Sequence, residues 1–284
     1  MKVDYDTLMG LELPSHAQAY SMRDAMLYAL GVGFGGDPTD EDQLAFVYEQ
    51  GLRAAPTFPL VLGIPPNWVR NSGLDYARIV HGEQSLEIHA PLPVEGEVEG
   101  SLRITNVIDK GEQKGALVYA ERILTDRATG TKLATLGQTI FARGDGGIGG
   151  PAGKQPPVHA LPERAPDGIC TLGTVPQQAL IYRLSGDYNP LHAEPGLAAK
   201  AGFPRPILHG LATFGIAGHA LLKSVCGYAP ERLVSMAGRF TAPVFPGETL
   251  ETAYWLDGNE VSFRTRAVER DILAIGNGKA TVRA

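Results

Sequence analysis

The chain repeats itself, and that repeat constrains its fold more than any other feature. Ala25-Met-Leu-Tyr-Ala-Leu matches Ala179-Leu-Ile-Tyr-Arg-Leu. Ala90-Pro-Leu-Pro-Val-Glu-Gly-Glu resembles Ala242-Pro-Val-Phe-Pro-Gly-Glu. Both pairs stand about 150 residues apart, which suits a duplicated domain and is too long for a solenoid unit. Any fold proposed for one half must therefore also suit the other.

After each Gly-Glu the apolar residues alternate, at 98–107 in the first half and 249–256 in the second. Further alternation runs through 116–124, 132–142, 260–268 and 272–282. A period of two predicts half-buried strands, joined by turns such as Ala128-Thr-Gly and Asp257-Gly-Asn. Each half reads as loop, helix, then antiparallel meander. A helix wrapped by such a sheet is a hot-dog fold, so the expectation is an α+β double hot dog. The predicted domains are 1–150 and 151–284, joined by a Gly- and Pro-rich linker at 144–157.

Bulk composition narrows the class. At 284 residues, 44% hydrophobic and 20% charged, the chain reads as a water-soluble globular protein. A net charge of −6 argues against general nucleic-acid binding. Cys170 and Cys226 make no disulfide framework and fit a reducing compartment. No apolar run is long enough for a membrane span, and residues 1–10 lack a signal-peptide layout. The ending Thr-Val-Arg-Ala is not a peroxisomal address, so the expected location is cytoplasmic.

The chemistry concentrates between Tyr182 and Gly215, YRLSGDYNPLHAEPGLAAKAGFPRPILHGLATFG. Asp187, Asn189 and His192 bring an acid, an amide and an imidazole into one loop. Gly186 permits backbone angles closed to other residues, and Pro190 pushes Asn189 out of the helical region. The loop is therefore expected to fold over and bring Asp187 and His192 to one face. Residues 206–223 read as a helix that is apolar or small on nearly every side, hence buried. Gly210 near its start would expose a free amide at the positive end of the dipole. His209 and His219 lie on this segment and are assigned to packing and hydrogen bonding. With no third ligand near in sequence, they predict no metal site. The run 145–150 lacks the Lys-Ser/Thr of a phosphate loop.

This stretch resembles the signature of the hydratase 2 family, the (R)-specific 2-enoyl-CoA hydratases related to MaoC-type dehydratases. The motif elements are Y-R-L-S-G-D-x-N-P-L-H, then A-G-F, then P-I-L-H-G-L-x-T-F-G. Further segments resemble the two-repeat form of the family: Tyr28-Ala-Leu-Gly-Val-Gly, Phe46-Val-Tyr-Glu, Val80-His-Gly-Glu-Gln and Asp109-Lys-Gly. The resemblance implies reversible hydration of trans-2-enoyl-CoA to (3R)-3-hydroxyacyl-CoA. It implies Asp187 and His192 as the acid–base pair, Asn189 as orienting water or loop, the Gly210 amide as oxyanion donor, and Glu49 near the active site. His81, Gly82, Lys110, Tyr188, Pro190, Leu191 and Phe240 become substrate contacts, with Lys110 on coenzyme A. No separate cofactor is implied, since coenzyme A is part of the substrate. A homodimer is expected, with no nucleic-acid or membrane partner. The alternatives are a MaoC-type enzyme for another acyl thioester (branched, steroid side-chain or carrier-protein bound) and a hot-dog thioesterase.

The repeat also divides the labour. Aligned on the tyrosines, Asp187 of the second half corresponds to Gly33 of the first, and no Asn-Pro-Leu-His follows there. One half keeps the acid–base loop; the other is expected to give room for an acyl chain.

Overall fold

The structure, a computed structural model, describes residues 3–151 and 153–283; Met1, Lys2, Ala152 and Ala284 lie outside it. The strands are β1 (His16–Tyr20), β2 (Ile79–Ile88), β3 (Gly96–Asp109), β4 (Ala116–Asp126), β5 (Lys132–Ala142), β6 (Gly168–Gly173), β7 (Leu233–Phe240), β8 (Thr249–Asp257), β9 (Glu260–Ala267) and β10 (Ile272–Val282). The helices are α1 (Tyr5–Met9), α2 (Met22–Gly31), α3 (Glu41–Leu44), α4 (Trp68–Asn71), α5 (Gln178–Tyr182), α6 (Pro195–Lys200) and α7 (Gly210–Ser224). Among the described residues, no helix is long and apolar enough to cross a membrane.

Packing divides the chain into two units, and the division does not follow the 150/151 repeat boundary. One unit holds the N-terminal residues through Gln18 with Leu62–Ala90 and Glu97–Val158. The other holds Ala19–Val61, Pro91–Gly96 and the chain from His159 onward. The helix α2 of the first repeat thus packs with the second repeat. Its Gly31 lies against Tyr182, and Gln178 Nε2 donates to the carbonyls of Leu30 (2.9 Å) and Gly31 (2.7 Å).

In the first unit β3, β4, β5 and β2 form an antiparallel run. Val98, Gly100, Leu102 and Ile104 of β3 face inward as period two requires. A register shift between Ile104 and Asn106 then turns Val107 inward in place of Asn106. Leu102, Ile104, Val118, Ala120 and Ile140 join Leu8, Trp68 and Leu74 in one core. Each large apolar side chain buried there contributes roughly 1.5–3 kcal/mol. At Gly100 an added Cβ would stand 1.9 Å from the Gly63 carbonyl oxygen, so only glycine allows these backbones to meet.

The first part of the Gly-rich segment expected as a linker, through Ile148, is packed structure, whereas its described residues from Gly149 to Pro157 are exposed. The Asp109 carboxylate accepts from the amides of Gly111 (2.8 Å), Gly147 (2.9 Å) and Gly149 (3.0 Å). Ile148 is buried, and its carbonyl accepts from Tyr5 N at 3.0 Å. The glycines serve a tight wrap around one carboxylate, with left-handed φ at Gly147 and Gly149.

In the second unit β6, β8, β9, β10 and β7 lie in that order, antiparallel. Helix α7 packs against β6, β7, β8 and β10. Every residue from Ala212 to Leu222 is buried, as its all-round apolar sequence requires. This is the central helix of a hot-dog domain. In the first repeat the stretch equivalent to α7 makes only the short turn Phe58–Val61 and α4. Pro56, Pro59, Pro65 and Pro66 interrupt it, since proline lacks the amide and clashes with the preceding turn. The longest helix from that repeat is instead α2.

Candidate active site

The acid–base loop hangs from α5 and folds back within six residues. A short 3₁₀ turn, Arg183–Ser185, ends at Gly186, whose φ of 117° is closed to other residues. Two side-chain turns follow. The Asp187 carboxylate accepts from Asn189 N (3.2 Å), and the Asn189 side-chain oxygen accepts from Leu191 N (3.1 Å). Pro190 then opens the 3₁₀ turn Pro190–His192, which delivers a buried His192. Asp187 and His192 do come to one face, as expected. Together with His209 they place one side-chain ligand atom each within 4.8 Å of the others, and the carboxylate is the most open of the three.

The tautomer of His192 is set by its neighbour. Its Nδ1 lies 2.9 Å from the Ile207 carbonyl oxygen, which can only accept, so Nδ1 carries the proton. Nε2 is left with the lone pair. Burial pushes the imidazole below its usual value, while the Ile207 carbonyl and the Asp187 charge pull the other way. At neutral pH the ring is therefore neutral and able to take a proton.

Gly210 is the first residue of α7, as the sequence indicated. An amide in that position has no intrahelical acceptor. A Cβ built there would meet the Phe240 ring at 3.5 Å, an ordinary contact. Packing within the chain therefore does not demand glycine here. It does at Gly215 and Gly218 of the same helix, where a Cβ would stand 2.5 Å from Val32 and 2.7 Å from Thr57. Phe240, at the end of β7, thus flanks the start of α7.

The remaining expected residues are placed as follows. Tyr188 is exposed, with the Arg183 guanidinium over its ring at 5.0 Å. Pro190 is exposed and Leu191 half-buried. Glu49 is exposed in the turn after α3 and is not part of the Asp187–His192–His209 cluster. His81 and Gly82 belong to the other unit, at a register shift in β2, where His81 Nε2 lies 3.0 Å from the Glu83 carbonyl oxygen. Lys110 is in that unit too, exposed in the turn after β3, its Nζ donating to Gln155 at 2.9 Å.

Sequence reasoning missed the part played by His209. The loop brings Asp187 and His192 beside it, contrary to the expectation that no third ligand is near. Yet the His192 and His209 rings lie stacked, centroids 3.7 Å apart and planes 27° apart. Stacked rings send their in-plane lone pairs side by side, which suits a shared metal ion poorly. The signal was the sequence Leu208-His209-Gly210, a histidine immediately before a helix-opening glycine.

Comparison with known proteins identifies the family of both halves. A MaoC-like domain model matches residues 157–277, and the model of the N-terminal domain of MFE-2 hydratase 2 matches residues 18–144. The chain is 38% identical to peroxisomal enoyl-CoA hydratase 2 of Arabidopsis thaliana, over 94% of this chain and 91% of that one. It is 37% identical to enoyl-CoA hydratase ChsH3 of Mycobacterium tuberculosis, over the full length of both. The crystal structure of a MaoC-like dehydratase from Phytophthora capsici superposes with a TM-score of 0.85 at 33% identity, covering 99% of each chain.

Proposed function

Because the chain belongs to the enoyl-CoA hydratase 2 family of MaoC-like proteins, we propose that it is an (R)-specific hydro-lyase for 2-enoyl-CoA thioesters. The reaction is the reversible hydration of trans-2-enoyl-CoA to (3R)-3-hydroxyacyl-CoA. Water adds to carbon 3, a proton adds to carbon 2, and negative charge gathers on the thioester oxygen between. The site must therefore supply a proton acceptor, a proton donor and an oxyanion partner.

The observation that carries this reading is the orientation of His192. Its Nδ1–H is committed to Ile207, and it shares a face with Asp187. Nε2 and the Asp187 carboxylate act on one water, which gives hydroxyl to carbon 3 and proton to carbon 2. Such groups contribute about 10²–10⁴-fold in rate. The two exchange protons as a pair, so the site is described by joint rather than separate titrations. Asn189 holds the loop through Leu191, and the Gly210 amide receives the thioester oxygen, a contribution of roughly 10²–10³-fold.

The first repeat, 1–150, contributes acyl space and coenzyme A contacts, and 151–284 the proton transfer. Gly33, standing where the second repeat has Asp187, supports this. The reaction uses no resident metal or separate cofactor, a reading the stacked histidines support. The family resemblance assigns Glu49, His81, Gly82 and Lys110 as substrate contacts. Two buried free thiols support a reducing, cytoplasmic location. Exposed Leu180 and Leu184 support a homodimer, which sedimentation tests.

Crotonyl-CoA provides the assay. Loss of the enoyl absorbance with no free thiol signals hydration, whereas free thiol would mean a thioesterase. A coupled (S)-specific dehydrogenase should stay silent, and a strong signal there would contradict the stereochemistry. Asp187→Asn and His192→Ala should each lose at least about 10²-fold in turnover, and the double variant little more.

A further inference from the structure

His209 was expected to pack and to hydrogen-bond, and three observations give those contacts a more specific role. It occupies the N-cap of α7 yet makes no capping bond; its φ of −59° and ψ of 138° set up the helix without using the side chain. Caps are ordinarily Ser, Thr, Asp or Asn, whose short side chains reach the free amides. The ring turns instead toward the loop. Its Nε2–H donates to the backbone carbonyl of Asp187 at 3.1 Å.

The ring also stacks on His192. Stacking restricts the tilt of His192, and the Ile207 hydrogen bond restricts its rotation in the plane. One imidazole thus touches both members of the proton-transfer pair and is the chain neighbour of Gly210. Tyr182 backs it on another side, ring centroids 5.0 Å apart.

Its burial argues in the same direction. His209 is 1% exposed, and its Nδ1 meets no hydrogen-bond partner among the described residues. A phenylalanine would fill a packing role without leaving a polar atom buried and unpaired. A residue that breaks two local rules at once, capping and polar satisfaction, points to a role other than stability.

We propose that His209 is a positioning residue of this site, one that locks the Asp187 backbone and the His192 ring into a single relative geometry beside the Gly210 amide. It transfers no proton itself. Burial first, and then the adjacent His192, push its imidazole down to about 4, so it stays neutral where the reaction runs. The groups that face it are Asp187, His192, Arg183 and Tyr182.

The inference rests on the assignment of Asp187 and His192 as the dyad. Its test uses full-length His209→Ala, His209→Asn and His209→Phe, each checked for fold by thermal melting. Turnover and KM for crotonyl-CoA are read from pH 5 to 9. Alanine removes both contacts, so kcat should fall at least about tenfold while KM changes less than about threefold. Water reaching His192 should move its limb of the pH profile up toward the ordinary imidazole value. Asparagine returns a donor for the Asp187 carbonyl, and phenylalanine returns the stack; each should recover part of kcat and neither all of it. An alanine variant within threefold of native kcat would overturn the proposal. So would three variants that lose activity equally, in step with melting temperature and with an unmoved pH limb. Were Asp187→Asn and His192→Ala to keep native turnover, the dyad itself would be the wrong premise. Loss in those two with none in His209→Ala would remove His209 alone.

Discussion

Tyr28 and Tyr182, equivalent positions of the two sequence repeats, pack against each other with ring centroids 6.0 Å apart and planes 54° apart. Both are fully buried, and burial pushes both phenols upward, so both stay protonated. The contact ties α2 to α5, with Gly31 fitting against Tyr182. Tyr182 in turn lies against His209, so the loop that carries the dyad is suspended from a rigid aromatic pair. A site on such a support holds its geometry better than one on a free loop.

The glycines of α7 separate function from packing. Gly215→Ala forces a methyl to 2.5 Å from Val32 and 3.0 Å from the Tyr28 hydroxyl. Overpacking of this kind costs about 1–3 kcal/mol, more than the ~1 kcal/mol that alanine gains in helix propensity. Gly210→Ala meets only ordinary contact with Phe240 and should melt like the native protein. Its methyl would crowd the place where the thioester oxygen meets the amide, so turnover should fall by about tenfold or more. Paired melting curves and crotonyl-CoA rates check both. A Gly210→Ala protein with native turnover would return that glycine to a structural role.

Much of this architecture was legible because period two is a strong signal. The meander strands β3, β4, β5, β8, β9 and β10 lie within about two residues of the alternating segments. β2 was missed: a register shift at Gly82 breaks its alternation, and most of its side chains are only half-buried. β6 and β7 were missed as well, short strands carrying glycines that read as turn signals. The repeat predicts a helix in each half, and Pro56, Pro59, Pro65 and Pro66, which preclude a long one in the first, did not enter that reading. At the site, Gly186, Pro190 and Asn189 announced a folded loop, and the fold is there. The stack of His209 on His192 was not readable, because it needs that loop and α7 to be brought together in three dimensions.

Acid should weaken the fold through two buried histidines. Burial holds His209 and His219 down to about 4, against about 6.5 in an unfolded chain. As pH falls below 6.5 the unfolded chain binds these protons first, and the native protein follows only near 4. Stability present above pH 6.5 is therefore lost progressively between 6.5 and 4, by at most roughly 3 kcal/mol for each group. His219 donates from Nδ1 to the Val32 carbonyl, accepts at Nε2 from the Tyr228 hydroxyl, and stacks on Phe34. His219→Gln cannot titrate, so its urea midpoint should decline less across this window. A parallel decline in both proteins would show that His219 is not a source of the acid sensitivity.

The repeated Gly-Glu is anchored twice, to different effect. In the first repeat Glu97 pairs with Arg127, both about half exposed. In the second, Glu248 is 5% exposed; it pairs with Arg270 through both carboxylate oxygens and accepts from Phe245 N at 2.8 Å. An exposed pair contributes about 0–1 kcal/mol, so Glu97→Ala should leave the melting temperature nearly unchanged. Glu248→Ala strands a cation and an amide, and should cost about 2–3 kcal/mol. That is below the ~3–5 kcal/mol of fully buried pairs, because Arg270 stays 31% exposed. Equal losses in the two variants would mean that burial does not decide the worth of this pairing.

Lys110 tests where coenzyme A is gripped. The protein carries a net charge of −6, so an anionic coenzyme needs a local cation. Lys110 is exposed, and its turn is fixed: Asp109 binds three backbone amides beside it, and Lys110 N donates to Gly115 O at 2.9 Å. Among the described residues its Nζ meets a neutral partner, Gln155, so the charge itself is available. A phosphate contact lies far from the reacting carbons and holds ground state and transition state alike. Lys110→Ala should therefore raise KM for crotonyl-CoA several-fold and leave kcat unchanged. Added salt should raise the native KM toward that of the variant, because an exposed charge pair is screened within about 10 Å at 0.1 M. An effect confined to kcat, or a native KM indifferent to salt, would take Lys110 out of coenzyme A binding.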